Sequence, residues 1–384
     1  MAERISLHAK HAWSNQYVLG RGGRQQSISA IKYLNPSNDK IMFSKDIKTY
    51  FKRLVETPSP SGFETRCQSI FKKYASEYAE HVYEDKFGNV IAHKSNSDKP
   101  KLMISAHIDE IGFMVKHIDD EGFLYLVPIG GVDTMLLPGS RLAVHHNENS
   151  FLGIVGRKPI HLLNENERQK VIFEELWLDC GFTSRKHAQL SVSVGDPVTF
   201  TTEPVYMSDN YMVSRSADNK VGCAIMMEVM KRLKDLSTNY DIYYVSTRQE
   251  EIGLRGSITA AASIKPDYAI VIDATHATDY PSVKTTLHGE IVLGKGASVS
   301  ISPDTDEGFR TEFIHNIQKG TYPYQLEVHP NASGTESRAI QLQQGGIKTL
   351  NISYPVRYMH SASEIVSSDD VKSVIEILCS FLRS

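Results

Sequence analysis

One pattern recurs four times along the chain: a short run of apolar, β-branched or aromatic residues that leads into an acidic residue or a histidine. Lys101–Ala106 leads into His107, Asp241–Thr247 into Glu250 and Glu251, Tyr268–Ile272 into Asp273, and Leu350–Tyr354 towards His360. Runs of this length and composition predict buried strands. Asn89–His93, after a turn at Gly88, predicts another. Helical stripes fall among them. Ile47, Phe51, Leu54 and Val55 share a face behind Ser44 as a cap, and Val221, Ile225, Val229 and Leu233 mark a long helix. Phe63, Cys67, Ile70, Phe71, Tyr74 and Tyr78 form a third stripe, opened by Ser61 and Glu64 at capping-box spacing.

Between residues 116 and 207 the texture changes to short strand-like runs: Phe123–Ile129, Arg141–His145, Phe151–Gly156, Glu175–Asp179 and Pro197–Phe200. Only Glu165–Glu174 looks helical there. This spacing predicts a small β-barrel or sandwich. The economical architecture is an α/β domain built from residues 44–115 and 208–384, with an all-β domain of residues 116–207 inserted. Residues 1–43 are polar and broken by Gly20–Gly23 and Asn35–Asp39, which predicts a poorly ordered extension carrying His8 and His11 as surface residues. Met42 stays open as an alternative start.

At 384 residues the chain exceeds the size at which one core stops growing, so two domains are expected. Its 42 basic and 45 acidic residues leave no footprint for nucleic acid or an anionic membrane. No apolar stretch approaches the ~20 residues of a membrane helix, and the first 40 residues lack the apolar centre of a signal peptide. Cys67, Cys180, Cys223 and Cys379 form no C-x-x-C pair and read as small buried residues of a cytoplasmic protein.

In an open α/β sheet, ligands gather outside the carboxyl ends of the strands. His107, Glu251, Asp273 and His360 are therefore expected in one crevice, with Asp218 joining from the start of the predicted helix. Each segment has a plain alternative. Asp218 is placed as an N-cap, His107 and Asp109 as a buried pair, and Glu250 and Glu251 as a solvated loop. Taken together, two histidines and three carboxylates suit two divalent metals. Each metal would have a terminal histidine and a terminal acid, with one shared aspartate, a site fit for hydrolysing an amide or phosphate ester. Zn²⁺ takes such N and O donors, as do Co²⁺ and Mn²⁺. Glu251 is read as a ligand and Glu250 as general base to a metal-bridging water. Asp109 is read as acceptor for the second N–H of His107. Adjacent acids suit a glycosidase poorly, because its carboxylates face each other across a sugar. His276 and Asp279 are left as loop residues, and Gly294–Gly296 and Gly334–Ser337 as weak cleft turns.

The blocks Ala106–Gly112, Asp218–Gly222, Gln249–Gly256, Asp273–Thr275 and Arg357–Glu364 resemble, in order, those of the TET and glutamyl-type aminopeptidases, two-metal exopeptidases. The resemblance implies a three-layer α/β/α metallopeptidase domain with a mixed sheet and an inserted β-barrel used in assembly. It implies Asp218 as the bridge, His107 and Asp273 or Glu251 as terminal ligands of separate metals, and His360 completing the site. Asp109 would orient His107, and Glu250 would shuttle the proton. Short peptides would be the substrate, and dimers would build a hollow dodecamer. Residues 1–43 have no counterpart in that family. Gly334-Thr-Glu336-Ser-Arg338 departs from its usual Gly-Thr-Asp-Ala turn. The expected activity is removal of N-terminal residues. A two-metal deacylase or carboxypeptidase, or a non-catalytic scaffold, are the alternatives.

Overall fold

The computed structural model describes residues 42–383. The predicted extension, with His8 and His11, lies outside the described residues except for its last two. Met42 and Phe43 are buried, and the Phe43 ring packs tilted against Phe51, their centroids 5.8 Å apart, so the core takes up the chain ahead of Ser44.

The strands, in chain order, are β1 His81–Glu84, β2 Val90–Lys94, β3 Lys101–His107, β4 Gly112–Ile118, β5 Leu124–Ile129, β6 Arg141–His146, β7 Asn149–Gly156, β8 Trp177–Asp179, β9 Pro197–Phe200, β10 Val205–Tyr206, β11 Tyr211–Ser214, β12 Asp241–Thr247, β13 Tyr268–His276, β14 Ala297–Ile301, β15 Tyr324–Val328, β16 Lys348–Arg357 and β17 Glu364–Ser367. Eleven of them form one mixed sheet whose main path runs β1-β2-β12-β3-β13-β16-β17-β11-β10, with β14 and β15 branching from β16. Its centre is parallel: β3 pairs with β12 and β13, and β13 with β16.

Both faces of this sheet are covered, which is why its strands read as continuous apolar runs. Successive side chains alternate between faces. Leu102, Ile104 and Ala106 pack under the helices Lys45–Glu56, Ala217–Leu233 and Ser368–Leu382. Met103, Val245 and Val271 face the helix Arg255–Ile264, through Ala260, Ala261 and Ile264. Three layers result. A methyl group added at Gly256 would lie 2.5 Å from the Arg248 main-chain N and O, so glycine is what lets that helix close onto the exit of β12.

The insert is a closed barrel in the order β4-β5-β8-β7-β6-β9, filled by Phe113, Val115, Leu142, Val144, Leu178 and Val198. Closure decides between the barrel and sandwich expectations. Two details differ from the sequence reading. The first barrel strand begins at Gly112, ahead of residue 116, with only residues 108–111 between it and the end of β3. The helix expected over Glu165–Glu174 is one turn, Glu165–Arg168, followed by a 3₁₀ turn at Phe173–Glu175.

Ile104 is fully buried in the central strand. Ile104→Ala should lower stability by about 2–5 kcal/mol through lost burial and the cavity left behind. The urea midpoint checks this, and an unmoved midpoint would contradict the packing described.

Candidate metal centre

The parallel register carries the chemistry to one edge. Thr247 pairs with His107 across β12 and β3, and Val271 pairs with Ser105 across β13 and β3, so Asp273 stands level with His107 two residues further on. His360 arrives from the β16–β17 loop with φ 61°, a left-handed conformation uncommon outside glycine and held only by its surroundings. Its N–H donates to Glu364 Oε1 at 2.8 Å. The other carboxylate oxygen of Glu364 accepts from the Asp218 N–H at 3.1 Å. One buried acid on β17 thus ties the His360 loop to the start of the Ala217–Leu233 helix.

The five residues expected to converge do so. His107 Nε2 lies 3.1 Å from Asp218 Oδ1 and 3.5 Å from Asp273 Oδ1. His360 Nε2 lies 3.4 Å from Asp218 Oδ2 and 3.4 Å from Glu251 Oε2. Asp218 therefore turns one oxygen to each imidazole. Its backbone there is non-helical, φ −77° and ψ 106°, and its oxygens face the imidazoles instead of capping the helix. Glu250 and Glu251 diverge, and Glu250 Oε2 comes no nearer to His107 Nε2 than 3.9 Å. One donor atom each from His107, Glu250 and Asp273 lie within 4.8 Å of one another, and so do those of His107, Asp218 and Glu251. Of these acids Glu250 keeps the longest approach to an imidazole.

Asp109 sits beneath both glutamates. Its oxygens accept from the Glu250 N–H at 3.1 Å, the Glu251 N–H at 3.2 Å and Ser61 Oγ at 2.6 Å. For His107 Nδ1 the Asp109 main-chain carbonyl, at 3.2 Å, is a closer acceptor than its carboxylate, at 3.5 Å. The capping box expected of Ser61 and Glu64 is absent. Ser61 is spent on Asp109, and Glu64 accepts two bonds from Arg248, at 2.9 and 2.7 Å, and one from the Gln249 N–H. Both residues serve the loop carrying Glu250.

The crowding shows in the titration of the metal-free site. Burial works against a charged His107, but Glu250, Asp109, Asp218 and Asp273 outweigh it and hold the imidazole protonated well above its usual range. Burial pushes Glu250 and Glu251 up, and it also raises Asp273. Burial would raise Asp218 as well, but bonds from His107 and His360 pull it down. Glu364 is pushed up to about 8 by burial and by Asp218 beside it.

The cluster opens into a cavity of about 500 Å³, whose far wall includes His276, Glu327, His329, Thr335 and Arg338. Sequence reasoning missed the role of Glu364 and the wall residues Glu327 and His329, and His276, left as a loop residue, ends β13 and lines the cavity. The Gly334–Ser337 turn placed at the cleft does line it, through Gly334 and Thr335. Glu336, in the departing turn, is fully buried and is raised to about 7 by burial, against the influence of Thr247, His107 and Ser105. Among the described residues neither of its oxygens has a partner in strict hydrogen-bond geometry, and neither do the Thr247 and Ser105 hydroxyls. Asp279 is held by Arg357 at 2.8 and 2.6 Å, in keeping with its omission. Gly294 and Gly296 donate to Asp370 and do not line the cavity.

Residues 88–377 match the M42 glutamyl aminopeptidase family. The chain belongs to that family, and it is a peptidase. A lysyl aminopeptidase of Pyrococcus furiosus is 33% identical over 86% of this chain and 95% of its own length. A TET aminopeptidase from the marine sediment archaeon Thaumarchaeota archaeon SCGC AB-539-E09 superposes with a TM-score of 0.84 at 29% identity, covering 88% of this chain and 96% of that one. The Pyrococcus horikoshii TET1 peptidase, described as assembling into a tetrahedron or a large octahedral shell, gives 0.78 at 26% identity, covering 88% and 99%.

Protons on His107 and Glu251 must leave before those atoms can donate to a metal. Raising the pH removes the competitor, so divalent-metal affinity should rise with pH, by at least about tenfold between pH 6 and 8. Chelator competition at the two values checks this, and equal affinities would contradict the proton-loaded cluster.

Proposed function

We propose that the chain is a two-metal aminopeptidase that removes N-terminal residues from short peptides. The carrying observation is Asp218, whose two oxygens address different imidazoles at 3.1 and 3.4 Å, each imidazole having a second carboxylate beside it. His107 and Asp273 would hold one divalent ion, His360 and Glu251 the other, with Asp218 shared. The donor set fits such ions. Burying four carboxylates together is costly without opposing charge, and Glu251 Oε1 is buried with no partner among the described residues. Zn²⁺ suits these donors, as do Co²⁺ and Mn²⁺.

When bound, the ions supply Lewis acidity and make water a nucleophile near neutral pH. Glu250, free of a tight imidazole contact and raised by burial, takes the proton of the attacking water and delivers it to the leaving amine. Asp109 fixes the main chain of Glu250 and Glu251 and steadies His107. The peptide enters the cavity past the Thr335–Arg338 wall, its free α-amine directed to the acidic cluster. That amine requirement separates an aminopeptidase from a deacylase or carboxypeptidase on the same fold.

Self-association is proposed from the likeness to the TET1 shell, supported by exposed Leu152, Ile154, Ile160 and Leu162 on and beside β7 of the barrel. No helix of the described residues is long and apolar enough to cross a membrane, and all four cysteines are free, which supports the cytoplasmic reading.

Free-amine and N-acetylated peptides, assayed with metal and with chelator, test this. Chelator-sensitive cleavage of the free-amine set alone is expected. Cleavage of blocked peptides would move the reading to a deacylase or carboxypeptidase, and no cleavage of either would favour a non-catalytic scaffold. Glu250→Gln should lower kcat by about 10²–10⁴-fold, the usual worth of a general base, with metal content intact. Equal loss of metal would contradict its assignment.

A further inference from the structure

Among the buried ionisable side chains that do not line the cavity, Glu110, Lys220 and Arg215, exposed by 2%, 0% and 6%, meet one another. Glu110 Oε1 accepts from Lys220 Nζ at 2.7 Å and from the Ser59 N–H at 2.9 Å, and Oε2 accepts from Arg215 Nη1. Lys220 also donates to the Thr57 carbonyl at 3.1 Å, and Arg215 to the Val55 carbonyl. Ser59 returns a bond to the Ile108 carbonyl at 3.0 Å. Two cations thus share one carboxylate, and all three are anchored to the main chain of residues 55–59.

Their places in sequence matter. Glu110 follows the His107–Asp109 strand end directly. Arg215 and Lys220 bracket Asp218 in the turn that opens the long helix. Within that turn Ser216 adopts φ 47°, a left-handed conformation that a serine keeps only when its surroundings impose it. Replacing a buried ion cluster by apolar residues of similar volume is often neutral or stabilising, so stability alone is a weak account of this one. What the cluster does supply is a rigid link between the two segments whose side chains must meet.

Resting on the two-metal reading above, we propose that the buried Glu110–Lys220–Arg215 cluster is the positioning device of the metal centre. It clamps the Asp218 turn against the His107–Asp109 strand end, so that Asp218 addresses both imidazoles at once. None of the three touches substrate. They act through the placement of Asp218.

The test is the full chain carrying Glu110→Leu, Lys220→Met and Arg215→Met together, which removes the charges and preserves bulk. Cobalt titration followed by visible absorption reads ligand geometry and affinity, the metal-free melting temperature reads the fold, and kcat and KM are measured separately. The expected result is a metal-free melting temperature close to that of the native chain, altered cobalt bands and Co²⁺ affinity down by about 10–100-fold, as when partners of metal ligands are lost. kcat should fall with KM little changed. A folded variant with native bands, affinity and kcat would overturn the proposal. A purely structural role would lower the melting temperature and leave the bands alone, which also overturns it. Should the triple variant fail to fold, Glu110→Asp decides on the same readouts. It keeps the charge and shortens the reach by one methylene, and native cobalt bands there would overturn the clamp. Failure of the native chain itself to take up Co²⁺ would instead fell the two-metal reading, and this inference with it.

Discussion

The structure turns on one electrostatic constraint: Asp218, Glu250, Glu251 and Asp273 are held beside His107 and His360 where little water reaches them. Like charges at such separations repel strongly in a poorly solvated site. The metal-free protein meets the repulsion by keeping protons on His107 and on the raised glutamates. Divalent cations would meet it better, since they replace several protons with fixed charge. The apparatus beneath the cavity can be read as the means of holding this cluster together: Asp109 accepting two main-chain N–H groups, Glu364 spanning His360 and Asp218, and Glu64 restraining Arg248 and Gln249.

The fold makes this arrangement from a simple rule. Parallel strands end at one edge, and register decides which side chains stand level there. β3 and β13 bring His107 and Asp273 to the same row and the same face. Asp218 reaches the edge from a helix packed on the opposite face, so the candidate bridging carboxylate joins the two layers across the rim of the sheet. Adjacent Glu250 and Glu251 separate as neighbours on a chain do, just past the left-handed turn at Gln249, φ 56°. The separation leaves Glu251 beside His360 and Glu250 at the longer approach to His107.

Much of this was legible because strand ends are legible. The central runs are apolar on both faces, so their limits are sharp in the sequence, and the residue after each limit is the candidate. The barrel was legible as short strands, but its first strand was not, since only residues 108–111 separate Gly112–Ile118 from the end of β3. Ser61 and Glu64 show the limit of local motifs. Their capping-box spacing is real, yet tertiary partners, Asp109 for one and Arg248 for the other, took both side chains. Glu110, Lys220 and Glu364 carry no sequence signal of their roles, because those roles are contacts across 110 and 146 positions of chain.

The most direct measurement is anomalous diffraction from crystals of the chain grown with zinc or manganese. The account predicts two peaks about 3.5–4 Å apart, the spacing of co-catalytic sites. One should sit beside His107 and Asp273 and the other beside His360 and Glu251, with Asp218 reaching both and Glu250 bound to neither. A single peak, or two peaks that do not share Asp218, would contradict it.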